Sequence, residues 1–243
     1  MSLADRFLSE VWRAASQPGG DGELTPAVLA HACREVLPVE GAGITMTGQV
    51  LRLPLGASDE ATALVEQVQA TLGNGPCMEA MADNLPLVAG PATMARCWPD
   101  YTSRVFDQTP FRSVAVTPLA APGHAVFGAL SLYATTTRLG DLLDIAEVKR
   151  EIGDLIAGIL SSQLAGTSFE NLTRFTWLQT DAVTHRRQVW MAVGIIAATA
   201  KVSQTAALDV LRASAHRQDA TLDAVAQRLF AEYDGPGVLA AVE

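Results

Sequence analysis

The sequence predicts an α+β domain, an antiparallel sheet flanked by helices, followed by an all-α segment in which a coiled-coil helix leads into a three-helix bundle. Three observations predict it. Two pairs of short stretches before residue 135 alternate apolar with polar or small residues, the period of a strand, and turn-forming residues separate the members of each pair. Stretches with helical spacing surround these pairs. From about residue 165 onward every pattern is helical.

Taken in order, Phe7, Leu8, Val11 and Trp12 give an amphipathic start, and the run Gln17-Pro18-Gly19-Gly20-Asp21-Gly22 must interrupt it. Residues 1–23 therefore read as a helical arm and loop ahead of the domain. A helix is expected over roughly 25 to 37. Ala42, Ile44 and Met46 then alternate with Gly43, Thr45 and Thr47, and after a turn at Gly48-Gln49, Leu51, Leu53 and Leu55 alternate with Val50, Arg52 and Pro54, which makes a hairpin.

Ser58 is a candidate cap for the next helix, with Asp59 and Glu60 in its first turn and Ala61, Leu64, Val65, Val68 and Leu72 on its inner face. Leu85 to Val88 forms a short strand. A loop-rich segment containing Trp98-Pro99 leads to a second hairpin, Val114, Val116 and Pro118 against Val126, Gly128, Leu130 and Leu132, turned by Ala121-Pro122-Gly123. One helix carrying Leu142, Ile145, Val148, Ile152, Leu155, Ile156 and Ile159 closes the domain at about residue 164.

Further along, Leu172, Phe175, Gln179, Ala182, Arg186, Val189, Val193 and Ile196 recur at alternating three and four residues, the spacing of a coiled-coil seam. The polar Gln179 and Arg186 in that seam leave open whether it is shared between chains. Residues 165–184 are assigned to this linker. Ser203 caps a second helix and Asp219 or Thr221 a third, whose stripe is Leu222, Val225, Ala226, Leu229 and Phe230. The bundle covers 185–234, and Gly235-Pro236-Gly237 opens a tail over 235–243.

The chain has 243 residues, nearly half of them apolar, enough for two cores. With no run of eighteen apolar residues and no signal-peptide pattern after Met1, the expected location is the cytoplasm, with no membrane partner. Cys33, Cys77 and Cys97 form no CxxC pair, and the four histidines do not cluster; no metal site and no catalytic set are expected, and no cofactor is named. Net charge is −9, but it is unevenly spread. Residues 1–164 hold 10 Lys and Arg against 18 Asp and Glu, whereas 185–218 hold Arg186, Arg187, Lys201, Arg212 and Arg217 against Asp209 alone. Such a balance disfavours nonspecific coating of nucleic acid and leaves one basic stretch.

Within that stretch, Arg186-x-x-Val189-x-x-Ala192-x-Gly194, Ala207-x-x-x-Leu211 and Leu222-x-x-Val225-Ala226 resemble the ANTAR domain, over about 45 residues. Gly194, with Ala192, Ala197 and Ala198, leaves little bulk on the first helix, and a glycine there costs about 1 kcal/mol relative to alanine, so close approach by another helix or an RNA backbone is expected to offset it. The resemblance implies a dimeric RNA-binding regulator of transcription antitermination that recognises paired hairpins, with Arg186, Arg187, Lys201, Arg212, His216 and Arg217 as its RNA-binding residues. Val193, Ala215 and Asp219 depart from the family's usual residues at their positions.

Residues 24–164 resemble a GAF domain, through Asn74-Gly75-Pro76-Cys77, a turn like that of actinobacterial proteins joining GAF to ANTAR, and through Trp98-Pro99-x-Tyr101, Val116-x-Pro118-Leu119 and Gly128-Ala129-Leu130-x-Leu132-Tyr133. This implies a sensory domain enclosing an unidentified small ligand near Cys77, Met78, Met81, Trp98 and Tyr101. The chain is thus expected to be a signal-responsive, homodimeric RNA-binding regulator and not an enzyme. The alternatives are a DNA-binding regulator and a thiol redox sensor or GAF-fold sulfoxide reductase using Cys77.

Overall fold

The computed structural model describes residues 1–16, 23–47, 52–164 and 181–233. Five antiparallel strands form one sheet in the order β2-β1-β5-β4-β3: β1 is Gly41–Thr47, β2 Arg52–Ala57, β3 Leu87–Ala89, β4 Ser113–Leu119 and β5 Gly128–Ala134. Both expected hairpins are present, and β1 also pairs with β5 in the centre. Pro54, which has no N–H to give a ladder, lies in the edge strand β2, beside a register shift opposite Ile44 and Thr45. The turn expected at Gly48-Gln49 lies outside the described residues.

Every residue of β4 and β5 is buried, because helices cover both faces of the sheet. On one face Ala42, Ile44, Ala115, Leu130 and Leu132 meet α1 (Leu3–Ala15), α2 (Pro26–Val36) and the chain's helical stretch around Ile152, Ile156 and Leu160. On the other, Val114, Val116, Ala129 and Tyr133 meet α3 (Glu60–Leu72), α4 (Pro76–Asp83), α5 (Pro91–Cys97) and α6 (Pro99–Gln108). Helix α1, expected as an arm, puts Phe7 and Val11 into the first of these cores.

Several local expectations need correction. Asp59, not Ser58, caps α3: its carboxylate accepts from the Thr62 N–H at 2.9 Å, while Ser58 Oγ accepts from the Ala42 N–H and so ties the helix start to β1. The loop-rich segment holds α5 and α6, each opened by a proline at its first position, where the missing N–H is not needed. The single closing helix is instead α7 (Leu139–Leu142), α8 (Ile145–Val148), a π-helical turn over Lys149–Gly153 and α9 (Asp154–Leu164). The widened turn brings Gly153 against Thr117 of β4.

The C-terminal unit comprises α10 (Asp181–Ala200), α11 (Gln204–Arg217) and α12 (Leu222–Tyr233). Ser203 Oγ caps α11, and Thr221 rather than Asp219 caps α12 by accepting from the Ala224 N–H. Val189, Val193 and Ile196 point into this bundle's own core, so the C-terminal half of the expected seam is spent within the chain. The linker over 165–180, the remaining seam positions there and the tail over 235–243 lie outside the described residues.

Two glycines predict opposite responses to an added methyl. A Cβ on Gly56 would lie 2.4 Å from the backbone nitrogen of Ala27, and α2 cannot retreat cheaply. Gly56→Ala should therefore destabilise by roughly 1–3 kcal/mol. A Cβ on Gly158, in α9, meets nothing within 4 Å, so Gly158→Ala should stabilise by up to about 1 kcal/mol. Urea denaturation of the two variants checks both signs; equal midpoints would contradict the described packing.

Candidate functional site

Small residues on β1 make room for a polar cluster on the second face of the sheet. Gly41 and Gly43 alternate with the apolar Ala42 and Ile44, and a Cβ on Gly43 would come within 2.9 Å of Glu66 Oε1. The buried Glu66 carboxylate of α3 therefore lies directly on the strand. It accepts from Thr45 Oγ1 at 2.6 Å and from the Tyr133 hydroxyl at 2.7 Å. One turn later, Gln69 Nε2 donates to the same hydroxyl at 3.0 Å, and Gln69 Oε1 accepts from the Cys77 N–H at 3.0 Å.

Arg52, buried at the edge of the sheet, donates from Nη1 to Cys77 Sγ at 3.0 Å. Burial outweighs that guanidinium and pushes the thiol up to about 11, with Glu66 adding to the rise. Burial likewise raises the hydroxyls of Tyr101 and Tyr133 well above their ordinary value, and again Glu66 adds to it. The Tyr101 hydroxyl and Ser131 Oγ are buried here without a protein partner at hydrogen-bond geometry, although Tyr101 lies close to Tyr133 and Ser131 to Cys77.

Of the residues expected to hold a ligand, Cys77, Trp98 and Tyr101 share one buried cluster with Met94, Phe111 and Tyr133. Met81 packs against its margin, and Met78 is half-buried on α4. Thr45, Arg52, Glu66, Gln69 and Ser131 were missed. Their signal was faint: the inner face of α3 is centred on Thr62, Glu66 and Gln69, polar residues that an apolar count passes over.

The expected RNA-binding residues are differently disposed. Arg187 is exposed on α10 and Lys201 just beyond its end, roughly 20 Å apart along the helix axis. Arg217 and His216 are exposed at the end of α11. Arg212 is turned toward the first unit and its side chain is 27% exposed; it pairs with Asp209 at 3.5 Å, and burial lowers its pKa. The side chain of Arg186 lies outside what the structure describes.

No protein-family model matches the chain, and no curated protein matches it. Solved structures similar to it include a GAF domain from A. Aeolicus in an inactive state, 14% identical, covering 66% of this chain and 94% of that one with a TM-score of 0.44. Another is the GAF domain of a phosphoenolpyruvate-protein phosphotransferase from Coxiella burnetii, at 11% identity, 68% and 98% coverage and a TM-score of 0.46. A third is a type II free methionine-R-sulfoxide reductase from Thermoplasma acidophilum, at 15%, 67% and 96%, and 0.42. Among the described residues no single helix is long and apolar enough to cross a membrane, and no three His, Cys, Asp or Glu side chains gather as a metal-binding group.

The buried cluster sets a pH limit. An unfolded cysteine loses its proton near 9.0, whereas folded Cys77 keeps it to about 11, so stability is intact below pH 9 and declines through that interval, with the two tyrosines extending the loss above pH 10. Urea midpoints should be level from pH 7 to 8.5 and fall by pH 10.5. Thiol titration of the native protein at pH 8 should find Cys97 alone, since Cys33 and Cys77 are buried; prompt labelling of three thiols would contradict the packing of α4 on the sheet.

Proposed function

We propose that the chain is a two-part regulator in which a GAF-type sensory unit, residues 24–164, controls an ANTAR-type bundle that binds RNA hairpins and promotes transcription antitermination, acting as a cytoplasmic homodimer. One observation carries the proposal. The residues behind the ANTAR resemblance, Val189, Ala192, Ala207, Leu211, Leu222, Val225 and Ala226, are the bundle's buried core, while Arg187, Lys201, His216 and Arg217 are exposed around it. A Cβ on Gly194 would meet nothing within 4 Å, so the close approach expected at this glycine is not made by another helix among the described residues.

The proposed ligand of the sensory unit is a small polar molecule at the Cys77 and Tyr101 cluster. A buried hydroxyl without a partner costs roughly 1–3 kcal/mol, and the side chains of Tyr101 and Ser131 both carry one. Reductase or thiol-sensor chemistry is less well supported. Cys77 is held as the thiol, Cys33 belongs to the core on the opposite face of the sheet, and Cys97 is exposed, so no resolving partner stands beside it.

Binding to duplex DNA is the second reading, favoured by one feature: α10 and α11 meet at 110° across a three-residue turn in which Lys201 takes φ 55°, the left-handed conformation usually left to glycine. Against it, α11, the helix that would enter a groove, carries the exposed Asp209, whose acid would face the phosphates.

Binding of the full chain to a two-hairpin RNA and to duplex DNA of matching sequence, over a salt series, separates the two. RNA should bind more tightly, and Arg187→Ala and Lys201→Ala should each lower the slope of log K against log salt by about 1. Equal, salt-insensitive binding to both polymers would remove the proposal.

A further inference from the structure

The two units meet where α10 packs against β2 and where α11 reaches the C-terminal end of α3. Gly73 closes that helix at φ +66°, and a Cβ there would lie 2.4 Å from Cζ of Arg212, so the guanidinium rests over the helix end. Carbonyls of a helix's last turn are unpaired and carry partial negative charge, which suits a cation. Beside this contact Thr71 Oγ1 accepts from the Leu222 N–H at 3.4 Å, and Arg104 of α6 reaches Asp219 at 3.7 Å. A cleft of about 310 Å³ lies between the units, lined by Thr71, Leu72, Asp100, Arg104, Arg212 and His216. Arg212 Nε is buried there without a partner.

We propose that this contact is an autoinhibitory latch: α3 sequesters Arg212, and with it one side of α11, from RNA until a change at the buried polar cluster releases it. The inference rests on the RNA-binding role proposed above and assigns its regulation. Two observations join latch to cluster. Gln69 uses its side chain to hold Tyr133 and the Cys77 N–H, while its backbone carbonyl accepts from the Gly73 N–H at 2.9 Å. The segment from Gly73 to Cys77 is only five residues long, so moving α4 against the sheet pulls directly on the last turn of α3. While the guanidinium lies against Gly73, the side of it that faces α3 is closed to a phosphate. Arg187 and Lys201, outside the latch, remain exposed throughout.

The test uses full-length protein and a pool of two-stem-loop RNAs with randomised loops. Gly73→Asn keeps a residue tolerant of positive φ but fills the space of the guanidinium. The pair Thr71→Val and Arg104→Gln, made together, removes the acceptor and the cation instead and guards against misfolding of the first variant. Both sets lie in the first unit and leave every proposed RNA-binding residue itself unsubstituted. Each should speed amide exchange at Leu222 and tighten RNA binding about tenfold. Exchange as slow as in the wild type would show that the contact does not hold the units together and would overturn the latch. Faster exchange with unchanged affinity, in a protein that binds the pool, would overturn inhibition while leaving RNA binding intact. Faster exchange with no RNA bound by wild type or variants would instead refute the RNA-binding role, and the inference with it.

Discussion

A carboxylate buried against a sheet is the constraint on which this structure turns. An uncompensated buried charge costs several kcal/mol, so Glu66 is tolerable only with its partners in place. Those partners come from three parts of the chain: Thr45 from β1, Tyr133 from β5, and through the tyrosine hydroxyl, Gln69 of the same helix. Gly43 supplies the space. Together they set the distance and rotation of α3 over the sheet, and hence where Gln69 presents itself to Cys77.

The same helix then serves a second purpose at its far end. Its inner side is bound to the sheet by hydrogen bonds, while its C-terminal turn receives Arg212 and the first N–H of α12. The polar cluster and this part of the contact between units thus share a single helix. The acidic first unit and the locally basic second one also attract, though near the contact the charges are matched individually, Arg104 with Asp219 across it and Arg212 with Asp209 of its own helix.

Much of the fold was legible because it depends on periodicity. The two hairpins, α2 and the three C-terminal helices follow from apolar spacing, and Ser203 from cap chemistry. What was illegible fails for physical reasons. Helices α5 and α6 are too short for a period to register, and their prolines look like breakers unless the first helical position is already known. Ser58 and Asp59 are equally good caps in isolation; the demand of the Ala42 N–H for an acceptor decides between them. At the site, Cys77, Trp98 and Tyr101 drew attention as motif residues, but Arg52 and Glu66 did not, since a charged side chain in a sequence is assumed to be in water.

The order of residues alone determined that this chain has an α+β first unit and a helical second one, that its one net-basic stretch, 185–218, lies in the second, and which apolar stripes close each core. Those properties are local, set by side chains within a turn or a strand of one another. Only the tertiary structure decided that a guanidinium and a thiol 25 residues apart would touch, that a glutamate would lie beneath a tyrosine 67 residues further along the chain, and that one arginine of the basic stretch would face inward. Pairings of that kind depend on how separate elements stack, and desolvation makes them strong once formed, yet nothing in the spacing of the residues records them beforehand.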